Sequence, residues 1–214
     1  MRPNVGIETM RELPDPYILA FLLALALVLL LSYNRLVTAV RGAAACVRGL
    51  HSTCEMLGNN YVFGSVRYAF LLLLPFYAMT LVVTGLSTRP YLRTLLTLLV
   101  LVLFLKAVCL AMGWLTSRRP VFRQLEWTGS AFCVLAMVLS LPAAMAGWLI
   151  PAAPQWLLWG WLALAAAAAG FLYARRGFSI IFPAGFSVFF WVLYLCTLEV
   201  LPICVVVNIL INGN

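Results

Sequence analysis

The sequence predicts an all-α polytopic membrane protein: a bundle of six transmembrane helices, with a basic amphipathic cytoplasmic helix after the first span. Three observations carry this. Hydrophobic residues make up 65% of the 214-residue chain and charged residues 9%. A soluble domain carries roughly 25% charged residues, so this chain has too few polar groups to cover a surface in water. Apolar runs near the ~20 residues that cross a bilayer recur along its length. Arginines gather in alternate connections between those runs, the pattern of loops kept on the cytoplasmic side.

Residues 1–16 form a polar N-terminal tail with Arg2, Glu8, Arg11, Glu12 and Asp15. The tail lacks a basic leader region, and no small-residue cleavage site follows. The first span, 17–33, is therefore expected to stay as an anchor. It covers about 25 Å at the helical rise. Residues 34–67 are the longest polar connection, with Arg35, Arg41, Arg48 and Arg67. Arg41, Arg48 and Glu55 recur every seven residues and fall near one helical face. The segment reads as an amphipathic helix on the membrane surface, as the first span continued into the cytoplasm, or as a solvated connector. Gly58, Asn59 and Asn60 are expected to end it.

The second span is 68–86, with Pro75 inside it, and 87–90 is a short turn. The third, 91–115, carries Lys106, the only lysine in the chain. Arg118, Arg119 and Arg123 follow. The fourth span is 127–150, with Pro142 inside, and Pro151 and Pro154 make an uncharged turn. The fifth, 156–173, contains an alanine run suited to close backbone packing, so it is expected in the interior of the bundle. Tyr173, Arg175, Arg176 and Gly177 should close it, with 178–183 as a re-entrant or interfacial turn. The sixth span is 184–211, and the other helices are expected to bury it.

Six spans place both ends on one side. The connections after spans one, three and five hold nine arginines; the opposite side holds Arg2, Arg11, Arg89 and Arg93. The excess marks the cytoplasm, so both termini are expected in the periplasm of an inner membrane. Trp114 and Trp127 should form the inner aromatic belt, and Trp148, Trp156 and Trp159 the outer one.

The net charge of +8 is explained by these loops. No basic stripe with interleaved aromatics lies outside the spans, so nucleic acid is not an expected partner. The expected partners are the lipid bilayer and a membrane protein or a second copy of the chain. His51 is the only histidine and no CxxC occurs among the six cysteines. A multi-histidine metal site or bis-histidine haem is thereby excluded within one chain, and no cofactor is expected. His51 and Glu55 form an i, i+4 pair on a solvated face. The chain lacks HExxH, GxSxG, a Walker loop and GxGxxG, so no catalytic residue is assigned and an enzyme is the least supported class.

The candidate chemistry lies at mid-depth. Glu199 sits inside the last apolar stretch, where a carboxylate needs a partner, a proton or a task. Pro202 has no N–H to offer the Leu198 carbonyl, so Thr197, Glu199 and Pro202 make a polar notch. Lys106 is the natural counter-charge for Glu199, or it snorkels to the interface. Two readings of Glu199 stay open: a protonatable site on a transport path, or a silent carboxyl that fixes helix order. Asn208 is a candidate interhelical hydrogen-bond partner. Arg89 with Arg93 outside, and Arg118, Arg119 and Arg123 inside, are candidate sites for anionic lipid or ligand.

The terminal motif Tyr194-Leu195-Cys196-Thr197-Leu198-Glu199-Val200-Leu201-Pro202, with the opening Pro16-Tyr17-Ile18-Leu19-Ala20-Phe21, resembles an uncharacterised Bacteroidota family of small polytopic membrane proteins. That family is catalogued as a domain of unknown function. The resemblance implies a bacterial inner membrane and a role for Glu199, and carries over no activity. The expected function is a non-enzymatic membrane subunit or assembly factor. The alternative is a proton-coupled or small-solute transporter using Glu199 and Lys106.

Overall fold

The computed structural model describes residues 23, 26–28, 30–48, 60–149 and 154–212. The chain divides into two units, Met1–Asn34 and Arg35–Asn214. In the first unit the described backbone is helical, and the Ser32 N–H donates to the Val28 carbonyl at 2.9 Å. The expected first span, 17–33, lies largely outside the described residues. Glu55, His51 and the stop at Gly58 and Asn59 lie wholly outside them.

The remaining elements are helices, with no strand among the described residues. They are α1 (Tyr33–Arg48), α2 (Asn60–Val83), α3 (Tyr91–Leu115), α4 (Arg119–Leu149), α5 (Gln155–Ile181), α6 (Val188–Tyr194), a π-helical segment (Leu195–Val200) and α7 (Leu201–Asn212). Among the described residues, five stretches are long and apolar enough to cross a membrane: Tyr61–Val83, Tyr91–Leu115, Arg119–Gly147, Gln155–Ile181 and Val188–Ile211.

Helix α4 is the hub and packs on α2, α3 and α5. Helix α2 buries Val62, Val66, Ala69, Leu73 and Leu74, a single face at helical spacing. Ala39 and Ala43 of α1 are also fully buried, and a side chain at Gly42 would meet Val62. The chain runs helical through Pro75 and Pro142 without a break. At the α2–α3 turn, Gly85 takes φ +69°, a left-handed conformation that glycine adopts without strain.

Several expectations about the elements are corrected. Helix α2 begins at Asn60, two turns before the expected start, and takes in Arg67. Its early turns carry Val62 and Val66 to the core, and Glu126 answers the charge of Arg67. Helix α5 does not end at Gly177 but continues to Ile181. Gly177 is kept within it because the Trp191 ring occupies the space a Cβ would need. The turn at 178–183 is accordingly shorter and later; Gly185, at φ +85°, ends it.

The alanine-rich α5 is not interior. It buries Leu158, Leu162, Ala165 and Ala169 on one face and exposes Ala166, Ala167 and Ala168 on the other. The terminal segment is not enclosed either: 11% of its most apolar stretch is buried, against 44% for α2. It lies at the edge, with α7 on α3 and α6 on α5. Aliphatic side chains need no shelter where lipid is the solvent, so only the polar face must turn inward. Trp127 is 1% exposed and belongs to the core rather than to an interfacial belt. Trp114 and Trp156 are exposed.

Candidate functional site

Pro202 sets the local geometry of the last span. It lacks an N–H, so the Leu198 carbonyl four residues back loses its usual α-helical partner. Leu195–Val200, ending two residues before it, takes the wider π register, and the Leu201 N–H donates to the Cys196 carbonyl five residues back. On an α-helix, Tyr194 and Glu199 would point about 140° apart. The i→i+5 register brings them to one face. Both then look toward α3, α4 and α5.

On that face the Tyr173 hydroxyl, from α5, donates to Glu199 Oε1 at 2.6 Å. This is a short O–H···O bond. The Tyr194 side chain lies close to the same carboxyl. The Tyr194 hydroxyl is in turn 3.3 Å from the Cys109 Sγ of α3. The result is a line of polar side chains, Cys109–Tyr194–Glu199–Tyr173, with hydrogen bonds at its two ends, that ties three spans together.

An aromatic seat fixes the line. Trp191 packs on Gly177 and stacks on Tyr194, with centroids 5.7 Å apart and planes 18° apart. Phe122 meets Tyr194 edge-on at 5.9 Å. Tyr173 lies against Trp191 at 6.3 Å, and its ring covers Gly129 of α4. Phe122, Leu125, Ile181, Trp191 and Tyr194 form one buried cluster around this seat.

The expected pairing of Lys106 with Glu199 is corrected. Lys106 Nζ lies 3.9 Å from Glu126 Oε1, and Arg67 Nη2 is 3.3 Å from the same oxygen. Arg67 and Glu126 each stand seven residues after the first residue of α2 and α4, and Lys106 nine before the last of α3. All three are thus about 10–14 Å from helix ends on one side of the bundle. Glu199 is closer to mid-span, where phenols rather than cations face it.

The notch at Thr197 is also corrected. Its hydroxyl donates to the Leu193 carbonyl at 2.6 Å, and its side chain is exposed. Asn208 lies on the exposed side of α7, well beyond Glu199. Arg89 acts locally: its Nε donates to the Ile209 carbonyl at 3.2 Å. Thr88 donates to the Leu210 carbonyl through its N–H at 3.1 Å and its hydroxyl at 3.2 Å. Together they cap the C-terminus of α7, where carbonyls lack partners and the helix dipole favours a cation. Arg93 is exposed one turn further on. Arg119 lies over the Trp114 ring at 3.9 Å. Arg118 is exposed, and Arg123 lies over Phe63 at 5.8 Å.

Sequence reasoning missed Cys109, Tyr173 and Tyr194. A signal for Tyr194 was present: a tyrosine five residues before an acid, followed within three residues by a proline that breaks the α ladder. Tyr173 gave no such signal, because only the fold brings it to Glu199.

No family model, curated protein or solved structure matches the chain.

Proposed function

We propose that this chain is a non-enzymatic integral membrane subunit or assembly factor that packs against a helix of another membrane protein or of a second copy. The observation that carries this reading is the outer face of α5. Added side chains at Gly160 and Gly170 would meet nothing within 4 Å. With exposed Ala163 and Ala167 they make a smooth stripe along a span. Small residues let backbones approach closely, which is how helices associate where lipid removes the hydrophobic drive. The state of Glu199 supports the same reading, because the Tyr173 hydroxyl partners the carboxyl within the chain. The six-span topology, the surface helix after the first span, the bacterial inner membrane and the periplasmic termini belong to this proposal. They rest on arginine placement and on the likeness of the terminal motif.

Extraction in mild detergent tests it. A particle heavier than the 23.7 kDa chain and its bound detergent is expected. Gly170→Leu is expected to release the partner while the chain stays folded. A monomer with nothing bound contradicts the reading.

A second reading, a proton-coupled or small-solute transporter, is favoured by the line Cys109–Tyr194–Glu199–Tyr173, since linked hydroxyls and a carboxyl can hand on a proton. In that case Glu199→Gln abolishes pH-dependent flux without lowering the amount of protein in the membrane. If the variant lowers abundance alone, the carboxyl is structural.

A further inference from the structure

The second polar cluster, at the arginine-rich end, is unbalanced. Arg67 and Lys106 share one carboxylate oxygen of Glu126, so their charged groups lie within about 7 Å of each other. Arg67 and Arg123 both rest on the Phe63 ring, with Cζ 5.1 and 5.8 Å from its centroid. Lys106 Nζ is 6.0 Å from the Phe70 ring. Three cations thus converge around one acid. Glu126 and Glu199 are the only acids among the described residues, and Tyr173 and Tyr194 face Glu199. Among the described residues there is no second counter-charge here.

The position suits an outside anion. Helix α4, with 31 residues, is about 46 Å long, against a hydrocarbon core of about 30 Å. Its first turns therefore extend to the interface, and the side chains of Arg67 and Lys106 remain 49% and 30% exposed. Phe63 holds two guanidinium planes over its π-system, which limits their rotamers before anything binds. Planar guanidiniums and an ammonium together match the oxygens of a phosphate.

We propose that Arg67, Lys106 and Arg123, gathered on Phe63 and Glu126, form a binding site for a phosphate group. The site goes beyond the subunit reading and does not depend on it. Glu126 acts as the positioning residue that holds Arg67 and Lys106 together. The phosphate reaches the site on a lipid headgroup or free in solution, and the test separates these sources.

The full-length protein is purified in detergent and its melting temperature followed with phosphatidylglycerol, phosphatidylcholine or inorganic phosphate. Phosphatidylglycerol is expected to raise the melting temperature by at least about 5 °C near saturation, and phosphatidylcholine not to. Arg123→Gln is expected to weaken that response by about tenfold in lipid concentration. Arg175→Gln, an exposed arginine at the same end outside the cluster, is expected to keep it. If inorganic phosphate alone reproduces the shift and competes with the lipid, the site stands and its ligand is soluble. Should Arg123→Gln fail to fold, Arg123→Lys keeps the charge, loses the planar fork and is expected to weaken the same response. Equal shifts with both lipids, no shift at all, or equal losses in the Arg175 and Arg123 variants overturn the proposal.

Discussion

Glu199 is held by neutral groups. An acidic residue at the centre of a span costs about 3 kcal/mol on insertion scales. The Tyr173 hydrogen bond at 2.6 Å and the Tyr194 contact offset part of that cost. Tyr173→Phe removes one donor without changing the ring that covers Gly129. It is expected to destabilise the protein by about 1–3 kcal/mol, because a largely shielded carboxyl loses a partner. Chemical unfolding in detergent checks this. In the Glu199→Gln background the same change should cost less, and an equal cost in both backgrounds would argue against coupling. At this scale the sequence was legible for the anomaly and silent on its solution. The depth of Glu199 follows from counting apolar residues. Its partners do not, since Tyr173 lies 26 residues away and at the α-helical spacing Tyr194 points elsewhere. Lys106 was matched to the wrong acid because depth along a span says nothing about which face a neighbour presents.

Two devices at the scale of the element position this carboxyl. The π-helical turn at Leu195–Val200 rotates Glu199 onto the face of Tyr194. The seat of Trp191 on Gly177 joins α6 to α5 near the same level. Gly177→Leu would drive a side chain into the indole. Overpacking of this kind costs about 1–3 kcal/mol, and Trp191 is expected to swing out and disturb its stacking on Tyr194. The check is tryptophan fluorescence of that variant together with its unfolding midpoint; an unchanged spectrum and midpoint would contradict the seat. Gly177 looked like a helix terminator from sequence, because an arginine pair followed by glycine is a stop pattern. Tertiary packing won over that local signal. Pro202 was recognised as a ladder breaker, and the register it accompanies was visible only in three dimensions.

Across the whole molecule, membrane-spanning helices were legible because hydrophobic length is a one-dimensional property. The third span matches its expected bounds of Tyr91–Leu115, and the second, fourth, fifth and sixth shift at their ends, as at Arg67, which stays helical where Glu126 answers it. Which helix is central was not legible. Alanine content pointed to α5, yet α4 is the hub and α5 turns half its small residues outward. In water such a face would signal a defect; in a bilayer it is a surface another helix can use. The bundle therefore has two distinct regions: a closed aromatic seat around Glu199, and an open stripe on α5. The subunit reading depends on the stripe being covered in the membrane. Placing a photoactivatable cross-linking residue at Ala167, with a control at exposed Leu103 of α3, reads this directly in intact membranes. The account predicts a discrete protein adduct from position 167 and lipid adducts from position 103. Lipid adducts alone from position 167 would contradict it.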